Sequence, residues 1–241
     1  MNDTHEFLID RHDGVMTIDL NRPDEGNALT MGMLDGLREL IGAADADPDL
    51  RVVVIAGRGP DFCRGRDTRG HKREGMSVLQ VHEQVMGRIL GFYAAIRNCA
   101  IPVVCRVHGP ARAFGCALAG AADFTFASST ATFKLDEIEH GSPSTLAMSA
   151  LVSRVPPKAL AWLVCSATAL DAADACSIGL VSAVFGADEF AARADQAIAT
   201  LAARPRVALT TVKKFLSRAP GLDPGMAADF AGALHAMVRT K

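Results

Sequence analysis

The segment Asp136-Glu-Ile-Glu-His140 places three carboxylates and one imidazole within five residues, side-chain types that move protons near neutral pH. A partly desolvated carboxylate can act as a base, and histidine is a plausible acid/base partner near neutral pH. On an extended segment Glu137 and Glu139 share one face and His140 takes the other, so the three would not all reach one substrate. The cluster also reads as a solvated surface or, through its carboxylates and imidazole, as a metal site. Lone clusters of this kind commonly decorate surfaces, and no metal is expected.

Two glycine-containing turns offer a different chemistry. GRGPDFCRGRD (57–67) follows an apolar run ending at Ala56, and HGPARAFG (108–115) follows one ending at Val107. The second leads into CALAGAA (116–122), a helix-compatible stretch of small side chains that other backbone can approach closely. Its N-terminus offers N–H groups and the positive end of a dipole. Meeting loops of this kind would supply paired donors for a developing oxyanion; glycine turns are also simple strand-to-helix connections. Neither turn matches G-x-G-x-x-G or G-x-x-x-x-G-K-[ST], and no G-x-S-x-G elbow is present, which leaves dinucleotide, P-loop and serine-hydrolase readings without support.

These groups must be positioned by alternating strands and helices. Residues 15–20, 52–56, 103–107, 124–127 and 180–185 read as strands from their β-branched or apolar content. Met31, Leu34, Leu37, Leu40 and Ile41 recur at helical spacing after Thr30, a suitable N-cap. Leu79, Met86, Leu90 and Tyr93 suggest a second helix ending before Pro102. From about Ala187 the pattern is helical, broken at Arg204-Pro205 and between Pro220 and Pro224. The layout is α/β, with an α/β core over 1–186 and a helical C-terminal region over 187–241 that packs on the core or on a neighbouring subunit.

Composition fits a folded chain with 49% apolar and 22% charged residues. A formal net charge of −2 provides no basic face for nucleic acid. No apolar run reaches membrane-spanning length, and the polar, acidic N-terminus is unlike a signal peptide, so the expected compartment is the cytoplasm. The six cysteines lack Cys-x-x-Cys spacing; Cys99, Cys105 and Cys165 lie in or beside apolar runs and read as small hydrophobes.

Four motifs in order resemble the crotonase superfamily, the enoyl-CoA hydratase/isomerase family. IDLNRPDEGNAL (18–29) resembles its strand and N-R-P-x-x-x-N-A-L turn, and VVIAGRGPDFCRGRD (53–67) its T-G-x-G-x-x-F-x-x-G-A-D segment. IPVVCRVHG (101–109) is similar to its K-P-V-I-A-A-V-x-G strand, and ATFKLDEI (131–138) to its A-x-F-x-x-P-E stretch, with Asp136 in place of the proline. The resemblance implies a spiral of ββα units, a helical trimerisation region, a homotrimer or dimer of trimers, and an acyl-CoA thioester substrate, coenzyme A entering with the substrate and no separate cofactor.

Carried over residue by residue, the resemblance assigns the oxyanion donors to the backbone N–H groups of Arg66 and Phe114, and the acid/base to Glu137. The first of the family's two glutamates aligns with Ala117, which leaves one carboxylate and suits moving a double bond better than hydration; hydration would need a substitute partner, for which Glu139 and His140 are the auxiliary acid/base candidates. Gly26, Ala28, Gly65, Arg66 and Asp67 would line the coenzyme path, and Lys213 matches a lysine common in the family. The basic run Arg66, Arg69, His71, Lys72 and Arg73 either meets coenzyme phosphates or forms a solvated loop. Hydrolysis of a carbon–carbon or thioester bond, and non-catalytic acyl-CoA binding, are the competing readings.

Overall fold

The computed structural model describes residues 5–69 and 75–239; His71, Lys72 and Arg73 of the basic run lie outside the described residues. The described part opens with a hairpin, β1 (Phe7–His12) and β2 (Val15–Leu20), turned through Asp13 and Gly14, both at positive φ. Next come α1 (Met31–Ala46) and β3 (Val52–Gly57). α2 (Val78–Val81) continues through a π-helical segment, His82–Met86, into α3 (Gly87–Asn98). β4 (Val103–Val107), β5 (Ala111–Arg112), α4 (Phe114–Ala121), β6 (Phe124–Ser128) and β7 (Thr132–Lys134) follow. After them run α5 (Thr145–Leu151), α6 (Pro157–Ser166), β8 (Leu170–Asp171), α7 (Ala172–Ser177) and β9 (Ala183–Phe185). α8 (Phe190–Ala202), α9 (Arg206–Arg218) and α10 (Pro224–Arg239) end the described chain.

Six strands form one sheet in the order β1-β2-β3-β4-β6-β9, parallel except for the β1–β2 hairpin. Three short strands form a second sheet, β5-β7-β8. The side-chain alternation of β3 explains its unbroken VVVIA run. Val53 and Ile55 enter the main core, while Val52 and Val54 join Val104 and Phe126 on the opposite face. α8 covers that second face with Phe190, Ala194, Ile198 and Ala202. Each large side chain buried there contributes about 1.5–3 kcal/mol, so this first helix of the C-terminal region is held by the sheet itself.

Thr30 caps α1 by accepting the Met33 N–H at 3.1 Å. α9 is tied down by Lys213, which is 6% exposed; its Nζ meets Asp123 Oδ2 at 2.6 Å and donates to the carbonyls of Ile96 and Ile101, both at 2.9 Å. The structure departs from the sequence reading in several places. The strand expected over 180–185 is only Ala183–Phe185, because the Leu180 and Val181 N–H groups both cap the end of α7 at the Ala175 carbonyl. The sequence reading does not contain the hairpin strand β1, the short strands β5, β7 and β8, or helices α5, α6 and α7. Cys99 and Cys105 are buried as expected, whereas Cys165 lies on the outer face of α6 and is exposed. No helix among the described residues is long and apolar enough to cross a membrane.

Candidate active site

The two glycine turns are zipped together by their backbones. Phe62 and Cys63 N–H both donate to the Pro110 carbonyl, at 3.1 and 3.2 Å, and Arg112 N–H donates to the Cys63 carbonyl at 2.9 Å. This approach demands glycine: a Cβ at Gly109 would lie 2.0 Å from the Pro60 oxygen, and one at Gly115 2.1 Å from the Cys63 oxygen. A Cβ at Gly65 would sit 3.1 Å from the Ala113 Cβ and 3.7 Å from the Phe114 nitrogen, so the backbones carrying Arg66 and Phe114 are neighbours.

The 22–29 turn joins the same assembly. Arg64 N–H donates to the Gly26 carbonyl at 2.8 Å, Leu29 N–H to Gly65 at 2.9 Å, and Asp67 N–H to Leu29 at 2.9 Å. In this parallel bridge between Leu29 and Arg66, the bonds to Leu29 use the groups on either side of Arg66, which turns the Arg66 N–H away from Leu29. The clamp between the turns is Asn27, fully buried at φ 55°. Its Nδ2 donates to the carbonyls of Arg58 and Asp61 at 2.8 Å each, and its Oδ1 accepts the Arg22 N–H at 3.0 Å.

Phe114 begins α4, so its N–H belongs to the first turn, which has no intrahelical acceptor. The residue before it, Ala113, is held at φ 47°, ψ −120°, with its own N–H bonded to the Lys134 carbonyl at 2.8 Å. The Phe114 ring stacks on Tyr93 of α3 at 5.3 Å and tilts against Phe92 at 5.6 Å. Ala117, one turn further on, is fully buried in the main core.

A cavity of about 490 Å³ opens here, and Arg66, Tyr93, Phe114, Glu137, His140 and Ser144 are among its lining residues. Glu137 starts a 3₁₀ turn, Glu137–His140, closed by Gly141 at φ 73°. That turn corrects the extended reading of the segment. Residues i and i+3 eclipse in a 3₁₀ helix, so Glu137 and His140 share the cavity, while Glu139 is drawn off by Lys134 at 2.9 Å. Ser144 Oγ donates to Glu137 Oε2 at 2.9 Å and fixes one carboxylate oxygen. Ser144 is itself buried and left-handed, at φ 38° and ψ 15°. Asp136 pairs with Arg112, Nη2 to Oδ2 at 2.5 Å, at the cavity wall.

The surrounding charges are largely tied to one another. Hydrogen bonds from Arg69, and then from Arg22, hold the Asp67 carboxyl well below the usual carboxylate range. Burial pushes the Cys63 thiol up to about 12 and Cys116 higher still, so neither is a nucleophile at neutral pH. The structure thus brings Gly26, Ala28, Gly65 and Asp67 to one edge of the assembly and Arg66, Phe114, Glu137 and His140 to the cavity. Lys213 stands apart, beside a different cavity formed with the C-terminal end of α3. Tyr93 and Ser144 were not anticipated as site residues. The one available signal for Tyr93 is that the chain holds a single tyrosine; Ser144 has none.

Comparison with known proteins identifies the frame. The family described as enoyl-CoA hydratase/isomerase matches residues 10–229. The chain is 33% identical over 180 residues to the zebrafish (Danio rerio) mitochondrial enoyl-CoA hydratase domain-containing protein 3, a match covering 74% of this chain and 61% of that protein. The corresponding rat protein is matched over 57% of its length, so the chain spans about six tenths of these curated relatives. The crystal structure of an enoyl-CoA hydratase from Mycobacterium smegmatis superposes with a TM-score of 0.90 at 32% identity, covering 96% of this chain and 90% of that one. Human enoyl-CoA hydratase domain-containing protein 3 superposes with a TM-score of 0.89 at 25% identity, with the same coverage. The crotonase fold expected from the four motifs is therefore present, and the chain belongs to the enoyl-CoA hydratase/isomerase family of the crotonase superfamily.

Proposed function

We propose that this protein transfers a proton on the acyl chain of a coenzyme A thioester, with Glu137 as acid/base and the backbone N–H groups of Arg66 and Phe114 as the oxyanion hole. The observation that carries this reading is the single cavity lined by Arg66, Phe114 and Glu137, where two neighbouring backbones meet one oriented carboxylate. The Glu137 carboxylate takes a proton from the carbon α to the thioester. Negative charge moves onto the thioester oxygen, where preorganised amides lower its energy without reorganisation. In an enoyl chain with its double bond between the β and γ carbons, return of that proton to the γ carbon moves the bond to the α and β carbons, and Glu137 ends as it began.

Ala117, fully buried where the family's first glutamate aligns, favours double-bond movement over hydration, because no second carboxylate is available there to activate water. Coenzyme A arrives as part of the substrate, and no further cofactor enters the scheme. Self-association as a homotrimer or dimer of trimers belongs to the same proposal, supported by the exposed apolar side chains of α9 and α10, Val212, Leu216, Met226 and Met237.

The test is Glu137→Gln, which keeps size and polarity and removes the base. Turnover of a short 3-enoyl-CoA should fall by about 10²–10⁴ while affinity for an unreactive acyl-CoA is unchanged. A variant with full turnover would dismiss Glu137 as the base. Wild-type protein that binds thioesters but turns over none would favour the non-catalytic alternative.

A further inference from the structure

We propose that the Tyr93 hydroxyl is a substrate-binding donor of this cavity, selecting acyl groups that carry an uncharged oxo or hydroxyl oxygen over hydrocarbon chains of equal length. This rests on the acyl-CoA reading above. Tyr93 is only 4% exposed, and its ring is fixed by stacking on Phe114 at 5.3 Å and by a tilted contact with Phe92 at 6.0 Å. It lines the same cavity as Glu137 and Phe114. Among the described residues none hydrogen-bonds the Tyr93 hydroxyl, and yet no fully buried side-chain oxygen or nitrogen lacks a partner. The hydroxyl is therefore not fully buried, and the residue that carries it lines the cavity.

A phenol so placed exchanges hydrogen bonds with water until an acyl chain displaces that water. A hydrocarbon chain then leaves a buried donor unsatisfied, whereas an oxygen on the chain replaces the lost bond. The thioester oxygen is assigned to the two backbone amides, so the acceptor lies further along the acyl group. Glu137 acts electrostatically on the same hydroxyl, so a second carboxylate placed there would meet its repulsion; an uncharged oxygen would not. Burial first, then the neighbouring Glu137 carboxylate, pushes the phenol well above its usual range, against a smaller opposing pull from Arg66. Tyr93 thus stays protonated at neutral pH, a donor of a hydrogen bond rather than of a proton.

The experiment compares acetoacetyl-CoA with butyryl-CoA, four-carbon chains differing in the oxo group, by titration calorimetry on the wild type and on Tyr93→Phe, which keeps the stacked ring. The dissociation constant for acetoacetyl-CoA should rise about tenfold in the variant, with that for butyryl-CoA constant within about twofold. Equal changes for both ligands, or none for either, overturn the inference and leave the acyl-CoA reading standing. If neither thioester binds the wild type, both fall. Because the chain has one tyrosine, fluorotyrosine incorporation gives a single fluorine resonance in the otherwise unaltered protein. That resonance should move further with acetoacetyl-CoA than with butyryl-CoA, and identical shifts would also overturn the inference.

Discussion

Ser144 is a small residue under two constraints. Its backbone is left-handed, a conformation that disfavours any side chain, and its hydroxyl donates to Glu137 Oε2 at 2.9 Å. The hydroxyl is bonded to the carboxylate of Glu137, so Ser144 is a positioning residue for the proposed base. Ser144→Ala removes the bond and keeps the strained backbone; Ser144→Gly removes both. Both variants should lose about tenfold in kcat through a less ordered carboxylate, with unchanged affinity for an unreactive acyl-CoA, and the glycine variant should unfold at a higher temperature than the alanine one. Equal affinity losses in place of kcat losses would show that Ser144 contacts the ligand instead. Motif order singles out Arg66, Phe114 and Glu137 as candidates, because glycine spacing and carboxylates are written in residue types. Ser144 and Tyr93 escaped because their roles depend on where a hydroxyl points, which is set by the packing of α3 against Phe114 and by the 3₁₀ turn after Asp136. The same turn reversed the expected partnership, bringing His140 beside Glu137 and sending Glu139 to Lys134.

At the level of elements, the turn between β2 and α1 is fastened to the turn after β3 by one amide side chain, Asn27. Its two Nδ2 bonds reach carbonyls on the second turn while its Oδ1 holds Arg22 on the first. Asn27→Asp keeps the shape and the acceptor but replaces a two-proton donor by an oxygen facing two carbonyls in a fully buried site. The expected loss is about 3 kcal/mol or more in urea unfolding, since two buried acceptors are orphaned and a charge is desolvated; a loss below about 1 kcal/mol would mean that the turns hold together without the clamp. Strands β2, β3, β4 and β6 could be read from sequence because the sheet is covered on both faces over most of their length, which writes apolar runs. β1 could not, since its outer half, Asp10, Arg11 and His12, is exposed, although Asp13-Gly14 is a hairpin signal. β5, β7 and β8, of two or three residues each, are too short for any periodicity to register.

On the scale of the whole molecule, the two ends of the C-terminal region behave differently. α8 is buried against the sheet, but α9 and α10 pack mainly on each other, with Phe215 stacked on Phe230 at 6.0 Å, and turn apolar side chains outward. Val212 is 57% exposed and Leu216 58%, both beside the groove that α9 forms with Ala231, Leu234 and Val238 of α10, and Lys213 anchors the inner side of α9. An apolar surface gathered on one face of a chain marks an interaction site, and each such side chain contributes about 1.5–3 kcal/mol when fully buried. Association costs several kcal/mol in lost translation and rotation, so removing two of these side chains should tip the balance. The double variant Val212→Asp, Leu216→Asp keeps the inward Lys213 tether and places two charges on the face. In sedimentation velocity at micromolar concentration, the wild type should run as a trimer or larger and the double variant near the 25.4 kDa of a single chain. A wild type that already sediments as a monomer removes the proposed assembly, and a trimer that survives both charges moves its interface away from α9.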